Sequence, residues 1–219
     1  MVEAMQDTPT PTSDQAARAT TDSTMQAVVY DRYGSLDALQ VRGIARPTAG
    51  RREVLVRVQA AALHVGDVFG VLGSPLVVRA ITGWLSPKYG VPGFDIAGRV
   101  EAVGADVTGF HPGDEVFGYT YGACAQYARV KLGELTHKPA RVSFEQAASL
   151  TTSGLAALHG LKRAAKLQPG QKLLINGAAG GVGSFAIQLA KLMGAEVTAV
   201  CSSANVDFVR QLGADHVVD

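Results

Sequence analysis

The sequence contains few cysteines, few aromatic residues and no excess of charge of either sign. Two of its 219 residues are cysteines, Cys124 and Cys201, and they lie too far apart for a zinc or redox motif. The net charge is +1, which argues against nucleic acid or an anionic membrane as a partner. No apolar run approaches the roughly 18 residues that a membrane-spanning helix needs. We therefore expect a reduced, cytoplasmic protein with no nucleic-acid or membrane partner.

Residues 1–24 differ in composition from the rest of the chain. They are rich in Thr, Asp, Ala, Gln and Pro and contain almost no large apolar residue. Such a segment cannot bury a core, so we predict a disordered extension. It also lacks the apolar run of a signal peptide and is poor in the arginine of a transit peptide.

Residues 25–146 have the pattern of a small β domain. Segment 53–60 alternates apolar and polar residues, as a half-buried strand does, and 26–30 is a second apolar run. Frequent Gly and Pro between short apolar runs favour a small closed or partly closed barrel. Segment 71–91 is apolar but broken by Gly and Pro, which predicts a loop with a short helix. That segment fits either the core or an apolar lid over a substrate pocket.

Residues 172–201 carry the most informative motif. An apolar stretch, a glycine-rich turn, an amphipathic helix and a second apolar stretch follow in the order of a dinucleotide-binding βαβ unit. A Cβ at Gly180 would collide with a pyrophosphate, Gly183 lets the helix pack closely, and the helix N-terminus presents N–H groups to the phosphates. We predict cofactor contacts from the whole turn: Gly177, Ala178, Ala179, Gly180, Gly181, Val182 and Gly183.

The turn after the second apolar stretch favours NADPH over NADH. NAD sites carry an acid about 20 residues beyond the glycine turn, where it binds the ribose 2′-hydroxyl. This chain has Ser202, Ser203 and Asn205 there and no acid, and these side chains can donate to a 2′-phosphate. A plain polar turn is the alternative interpretation.

Several short motifs, taken in order, carry a family resemblance. They are GFDIAG at 93–98, EAVG at 101–104, GDEVFG at 113–118 and the glycine-rich turn. The chain resembles the zinc-free, quinone oxidoreductase-like branch of the medium-chain dehydrogenase/reductase superfamily. The resemblance implies an α/β plus β architecture, with a GroES-like β-barrel catalytic domain over 25–146. The first part of a Rossmann doubly wound parallel sheet follows over 147–219.

The same resemblance implies that the chain is shortened at its C-terminus. A doubly wound domain needs five or six parallel strands, whereas the predicted elements after residue 172 supply three. In full-length members the chain also returns to the catalytic domain, and such members commonly form homodimers.

The resemblance further implies site residues. His64 is expected to hydrogen-bond a substrate carbonyl or the nicotinamide ribose, Asp67 to lie beside it, and Thr152 to lie near the nicotinamide. Alternatives stay open: His64 bonded to its own loop, Asp67 as a helix cap, and Thr151–Ser153 as a helix N-cap. Phe94 stands where zinc-dependent relatives carry a zinc-binding histidine, so no zinc is expected.

These observations predict a zinc-independent, NADPH-dependent oxidoreductase that transfers hydride to a quinone or an α,β-unsaturated carbonyl. Two alternatives remain. One is a non-catalytic, cofactor-binding or inactive fragment of such a protein, and the other is an alcohol dehydrogenase. Substrate selectivity is not encoded in any motif that the sequence shows.

Overall fold

The computed structural model describes residues 23–88 and 90–219. The predicted N-terminal extension lies outside the described residues except for its last two. Within these ranges the strands are β1 Thr24–Val29, β2 Gln40–Ala45, β3 Glu53–Ala62, β4 Asp95–Val103, β5 Glu115–Tyr119, β6 Tyr127–Lys131, β7 Leu135–His137, β8 Lys172–Asn176, β9 Glu196–Val200 and β10 His216–Val218. The α-helices are α1 Val65–Leu72, α2 Arg79–Thr82, α3 Phe144–His159, α4 Gly181–Leu192 and α5 Val206–Gln211.

The first half is built on an antiparallel sheet of five strands in the order β6-β3-β4-β5-β7. Its core is made of β-branched side chains that are fully buried, such as Val54, Ile96 and Val130. Each contributes roughly 1.5–3 kcal/mol of transfer free energy. The separate β1-β2 pair meets this sheet through a bridge between Ala27 and Ala125. The strands surround one core without closing into a barrel.

Helix α3 joins the two halves of the molecule. Its start is set by a capping box, in which Ser143 Oγ accepts the Gln146 N–H and the Gln146 side chain accepts the Ser143 N–H. Ala147 and Ala148 are buried against Ala97 of β4, because small residues let the helix lie close to the sheet. The alternative interpretation of Thr151–Ser153 as an N-cap is therefore wrong, since these residues lie in the middle of the helix.

The second half has the predicted dinucleotide-binding order. Strands β10, β9 and β8 are parallel and adjacent in that order, which is the 3-2-1 arrangement of a Rossmann half. Ile187 of α4 packs with Val197 and Val209 in a core that is separate from that of the first half. The fold class predicted from the sequence is confirmed, with the qualification that the first half is not a closed barrel.

Segment 71–91 is helical in part, as predicted, but most of its large side chains are on the surface. Leu76, Ile81 and Trp84 are each about two-thirds exposed, and Leu85 is 90% exposed. The alternative that this segment forms core is therefore wrong for these residues. The alternative of a lid remains a prediction.

Candidate active site

His64 lies at the end of β3 and caps helix α1. Its Nδ1 accepts the Gly66 N–H at 2.9 Å, so a neutral ring carries its proton on Nε2. The Nε2 atom is buried and has no hydrogen-bond partner among the described residues. A buried donor without a partner is costly, which marks Nε2 as a place for a ligand acceptor. The alternative that His64 bonds to its own loop is correct for Nδ1. It does not account for Nε2, which has no partner among the described residues.

Asp67 holds the loop that carries His64. Its two carboxylate oxygens accept the N–H of His64 at 2.8 Å and the N–H of Gly93 at 2.9 Å. The residue is 6% exposed, and it completes the capping box at the start of α1. In the structure Asp67 is thus a helix cap, and it also ties α1 to the turn that precedes Phe94. Its assignment as a catalytic residue stays a prediction.

Asp95 connects the two halves through helix α3. Asp95 Oδ1 accepts the Thr152 hydroxyl at 2.6 Å, and Oδ2 accepts the Thr152 N–H at 3.1 Å. Burial raises the pKa of this carboxyl, while the two bonds from Thr152 and the nearby His64 act in the opposite direction. The predicted cofactor residue Thr152 is therefore engaged with Asp95. Its neighbour Thr151 has a buried hydroxyl oxygen without a partner among the described residues.

Three aromatic rings continue from His64 toward the surface. His64 stacks on Phe94 with 5.2 Å between ring centroids, and Phe94 stacks on Tyr119 at 5.7 Å. Tyr121 contacts both Phe94 and Tyr119 edge-on and is 40% exposed. Burial and the neighbouring Tyr121 raise the pKa of Tyr119, so its phenol stays protonated near neutral pH. This cluster gives the imidazole a rigid apolar backing, and no sequence motif predicted it.

The glycine-rich turn has the geometry of a phosphate cradle. Gly177 has φ +68°, a left-handed conformation that favours glycine. A Cβ on Gly183 would lie 2.7 Å from the Ala178 Cα and still closer to the Gly177 carbonyl oxygen, so only glycine permits this packing. Ser184 is the first residue of α4 to donate to a helical carbonyl, which leaves the preceding N–H groups available to an anion.

Helix α3 also contacts this turn. A Cβ on Gly181 would lie 2.9 Å from Ser153 Oγ, which places α3 directly beside the start of α4. His64 lies near Asp95, Asp95 binds Thr152, and Ser153 lies beside Gly181, so helix α3 lies at the junction of the two halves.

The turn after β9 differs from the sequence-based expectation in one respect. Asn205 Nδ2 donates to Ser202 Oγ at 3.0 Å, so two of the predicted cofactor residues bond to each other. Ser203 Oγ donates to the carboxylate of Asp219, at the end of β10. The sequence carries no acid at the end of β9. The acid beside this turn is instead Asp219, which follows the neighbouring strand β10.

Several of the polar atoms near His64 are already engaged in hydrogen bonds within the protein. Both oxygens of Asp67 and the Nδ1 of His64 already accept backbone N–H groups. Burial and the nearby Asp67 raise the pKa of Cys124 to about 11. Across 23–88 and 90–219, no group of three or more His, Cys, Asp or Glu residues is arranged to hold a metal ion.

Two cavities adjoin this region. One of about 530 Å³ lies beside Tyr119 and Tyr121 and extends toward Met25 and Arg129. Another, of about 430 Å³, is mainly apolar, lies between β5 and α3, and reaches Thr151. Neither of these two cavities is lined by His64, Asp95 or Thr152.

The chain thus combines an antiparallel β half and a parallel βαβ unit, with a polar contact between them. The family model "Alcohol dehydrogenase GroES-like domain" matches residues 50–186, and "Zinc-binding dehydrogenase" matches 181–219. The chain belongs to the family with the alcohol dehydrogenase GroES-like domain, in the medium-chain dehydrogenase/reductase superfamily.

Individual relatives agree with this assignment. The chain is 37% identical to "2-methylene-furan-3-one reductase" of Solanum lycopersicum, over 94% of this chain and 56% of that protein. It is 36% identical to "Quinone-oxidoreductase QR1, chloroplastic" of Triphysaria versicolor, over 89% and 61%. The solved quinone oxidoreductase of Coxiella burnetii superposes with a TM-score of 0.82 at 33% identity, over 90% and 62%. The chain thus spans 56–62% of the length of these three relatives.

Proposed function

We propose that the chain contributes the substrate site and the phosphate-binding part of the cofactor site of an NADPH-dependent oxidoreductase. The reaction is hydride transfer to a quinone or an α,β-unsaturated carbonyl, without zinc. The carrying observation is the buried Nε2 of His64, which has no partner among the described residues and lies near the Asp95–Thr152 contact between the two halves. The names of the plant relatives, a furanone reductase and a quinone oxidoreductase, support this substrate class.

One group of residues contacts the cofactor and another contacts the substrate. The N–H groups at the start of α4 bind the pyrophosphate, and the nicotinamide, when bound, supplies the hydride. His64 Nε2–H donates to the substrate carbonyl oxygen, where negative charge develops as hydride reaches the β-carbon. The enolate then takes a proton from solvent at its α-carbon. A quinone that has accepted the hydride takes the proton at its oxygen instead. The Phe94–Tyr119–Tyr121 rings keep the imidazole in position and exclude water from one side.

Zinc independence follows from the donor set around His64. A catalytic zinc requires three protein ligands and an open position. Phe94 offers no ligand atom, and Asp67 is committed to backbone N–H groups. We therefore propose that the imidazole donor replaces the metal in polarising the carbonyl.

The preference for NADPH depends on the turn after β9. Ser202, Ser203 and Asn205 can donate to a 2′-phosphate, and residues 201–205 contain no acid. Asp219 opposes this preference, because a carboxylate beside Ser203 repels a phosphate and can accept from a 2′-hydroxyl. An Asp219→Asn variant removes that repulsion, so we expect it to bind NADPH more tightly relative to NADH than the parent chain does.

A titration followed by an assay tests the proposal. Nicotinamide fluorescence is measured as the 219-residue chain is added to NADPH and, in parallel, to NADH. Consumption of NADPH is then measured with benzoquinone and with a simple enone, with and without a chelator. We expect saturable binding, tighter for NADPH, and turnover that the chelator leaves unchanged.

Other outcomes select the alternatives. Saturable binding without turnover supports a cofactor-binding protein that is not catalytic on its own. Loss of activity with chelator and recovery with Zn²⁺ supports an alcohol dehydrogenase. Absence of binding by a folded chain contradicts a working cofactor site in residues 147–219.

A further inference from the structure

One stretch of chain in the first half exposes an unusual number of large apolar side chains. Half of such exposed residues in the described part of the chain fall between residues 63 and 85. Monomeric proteins rarely expose apolar residues in such concentration without a binding role. We call this stretch the 63–85 segment, and its exposed apolar members are Leu63, Val65, Val68, Phe69, Leu76, Val77, Ile81, Trp84 and Leu85.

Helix α1 shows the arrangement most clearly. Val65, Val68 and Phe69 have the spacing that places them on one helix face, and each is at least 40% exposed. Gly70 and Val71, on the other side of the helix, are buried. The helix therefore packs on the protein through a narrow buried face and presents an apolar face outward, which reverses the usual pattern of a surface helix.

The charges within and beside the 63–85 segment are mainly positive. Residues 63–88 contain one acid, Asp67, which is buried, and two cations, Arg79 and the exposed Lys88. Arg79 donates to the Gly73 carbonyl and its guanidinium lies over the Tyr33 ring. The acids of the adjacent loop are engaged: Asp31 pairs with Arg42, and Asp37 accepts a bond from Ser35. An apolar surface flanked by cations complements the headgroup region of an anionic bilayer.

The length and shape of the segment suit adsorption rather than crossing. No helix in the described ranges is long and apolar enough to cross a membrane alone. The helices Val65–Leu72 and Leu76–Thr82 reach the required hydropathy as a pair, but they are bent by 89°. Trp84, the chain's single tryptophan, is 68% exposed just beyond them. Tryptophan is the residue most typical of the membrane–water interface.

We propose that the 63–85 segment adsorbs to the surface of an anionic lipid bilayer. Its apolar side chains enter the boundary between headgroups and acyl chains, and Arg79 and Lys88 lie at the level of the lipid phosphates. This replaces the expectation of no membrane partner, which was based on net charge and on the absence of a long apolar run. The proposal does not depend on the proposed function.

A lipid surface fits the segment better than a protein partner does. Protein interfaces carry about one hydrogen bond per 100–200 Å² and a polar rim. The exposed polar side chains between residues 63 and 85 are few, with Ser74 a main example. A bilayer requires no matching hydrogen-bond pattern from the segment, so a nearly pure apolar surface suits it.

Trp84 makes the test direct, because it is both the chain's single tryptophan and a member of the segment. Tryptophan emission and co-sedimentation are measured with phosphatidylcholine vesicles that contain phosphatidylglycerol, and with vesicles of phosphatidylcholine alone. We expect a blue shift and co-sedimentation with the anionic vesicles, quenching by brominated lipid, and weaker binding at high salt.

A double variant, Ile81→Ser with Leu85→Ser, removes apolar area and keeps Trp84 as the reporter. Both side chains are at least two-thirds exposed, so we expect unchanged thermal stability. Vesicle affinity should fall at least about tenfold, because each side chain loses its transfer into the bilayer. The matched control is Leu192→Ser on α4, where an equally exposed leucine lies outside the segment and should not affect binding.

Three results would overturn the proposal. One is a folded chain that neither sediments with anionic vesicles nor shifts its emission. Another is a double variant that binds as tightly as the parent chain. The third is a lipid-free chain that self-associates with Trp84 already buried, because a second copy then covers the segment instead of a membrane.

Discussion

The antiparallel half and the parallel half contribute to the candidate site in different ways. The antiparallel half supplies side chains: the imidazole of His64, the carboxylate of Asp95 and a stack of aromatic rings. The parallel half supplies backbone: a left-handed Gly177 and the N–H groups at the start of α4. Chemistry in the first half therefore depends on residue type, whereas anion binding in the second depends on chain conformation. Helix α3 makes the contact between them through Thr152 and Ser153.

Replacement of His64 should give the largest effect. His64→Asn retains an N-cap side chain but lacks the Nε2 donor. We expect turnover of a quinone or enone to fall about 10²-fold or more, with little change in thermal stability. The check is kcat measured beside a thermal melt. Equal losses of activity and stability would indicate that His64 serves only the fold.

Gly183→Ala should damage the parallel half through its backbone. The new methyl group would meet the backbone of Gly177 and Ala178, which cannot move aside as a side chain could. We expect a loss of about 1–3 kcal/mol in the free energy of unfolding, and weaker NADPH binding. Urea unfolding and a fluorescence titration measure the two effects. Gly160→Ala is the matched control, because nothing lies within 4 Å of a Cβ there.

Asp95 variants test the junction between the halves. Asp95→Ala leaves the N–H and hydroxyl of Thr152 without their acceptor, which should cost about 1–3 kcal/mol. Asp95→Asn can accept the N–H and donate to the hydroxyl oxygen, so it should cost much less. Urea unfolding of both variants at neutral pH measures the difference. Equal losses in the two variants would argue against the hydrogen bonds as the source of stability.

The pH dependence of the same residue has a definite sign. Burial raises the pKa of Asp95 in the folded chain above its ordinary value of 3.8. The folded state therefore holds the proton more tightly, and stability falls as pH rises from the ordinary pKa through the raised one. The stability of Asp95→Asn relative to the parent chain should increase across that window. A difference that is constant with pH would contradict the raised pKa.

The smallest expected effect concerns Asp215 in the parallel half. Bonds from Lys191 and from the Val197 N–H lower the pKa of Asp215. Its contribution to stability is present above the ordinary pKa and is lost as pH falls through the lowered one. Asp215→Asn should flatten the acid limb of the stability profile. Asp207→Asn, at an aspartate whose side chain is 91% exposed, is the surface control for the substitution itself.

The two halves also differ in how much of them the sequence predicts. The order of β8, the turn, α4 and β9 follows from local signals, because a glycine turn and its flanking periodicity involve neighbouring residues. The aromatic cluster joins His64 to rings 30 and more residues away, and Asp219 reaches Ser203 across a sheet. Such contacts depend on strand order, which local patterns do not specify.

Two errors of interpretation have physical causes. Thr151–Ser153 carries hydroxyls typical of an N-cap, yet Ser143 and Gln146 form the reciprocal bonds that start the helix eight residues earlier. Core was one of two interpretations that the composition of segment 71–91 left open, but Leu76, Ile81 and Trp84 in it are exposed. Composition alone does not distinguish an apolar segment that is buried from one that binds a surface.

The most direct test of a site shared by the two halves is one titration of NADPH, followed by nicotinamide fluorescence, on three chains. These are the parent chain, Gly183→Ala and His64→Asn. The account predicts saturable binding by the parent chain and weaker binding by Gly183→Ala. For His64→Asn it predicts an affinity close to that of the parent but altered fluorescence of the bound nicotinamide. No binding by the folded parent chain, or binding that Gly183→Ala leaves unchanged, would contradict it.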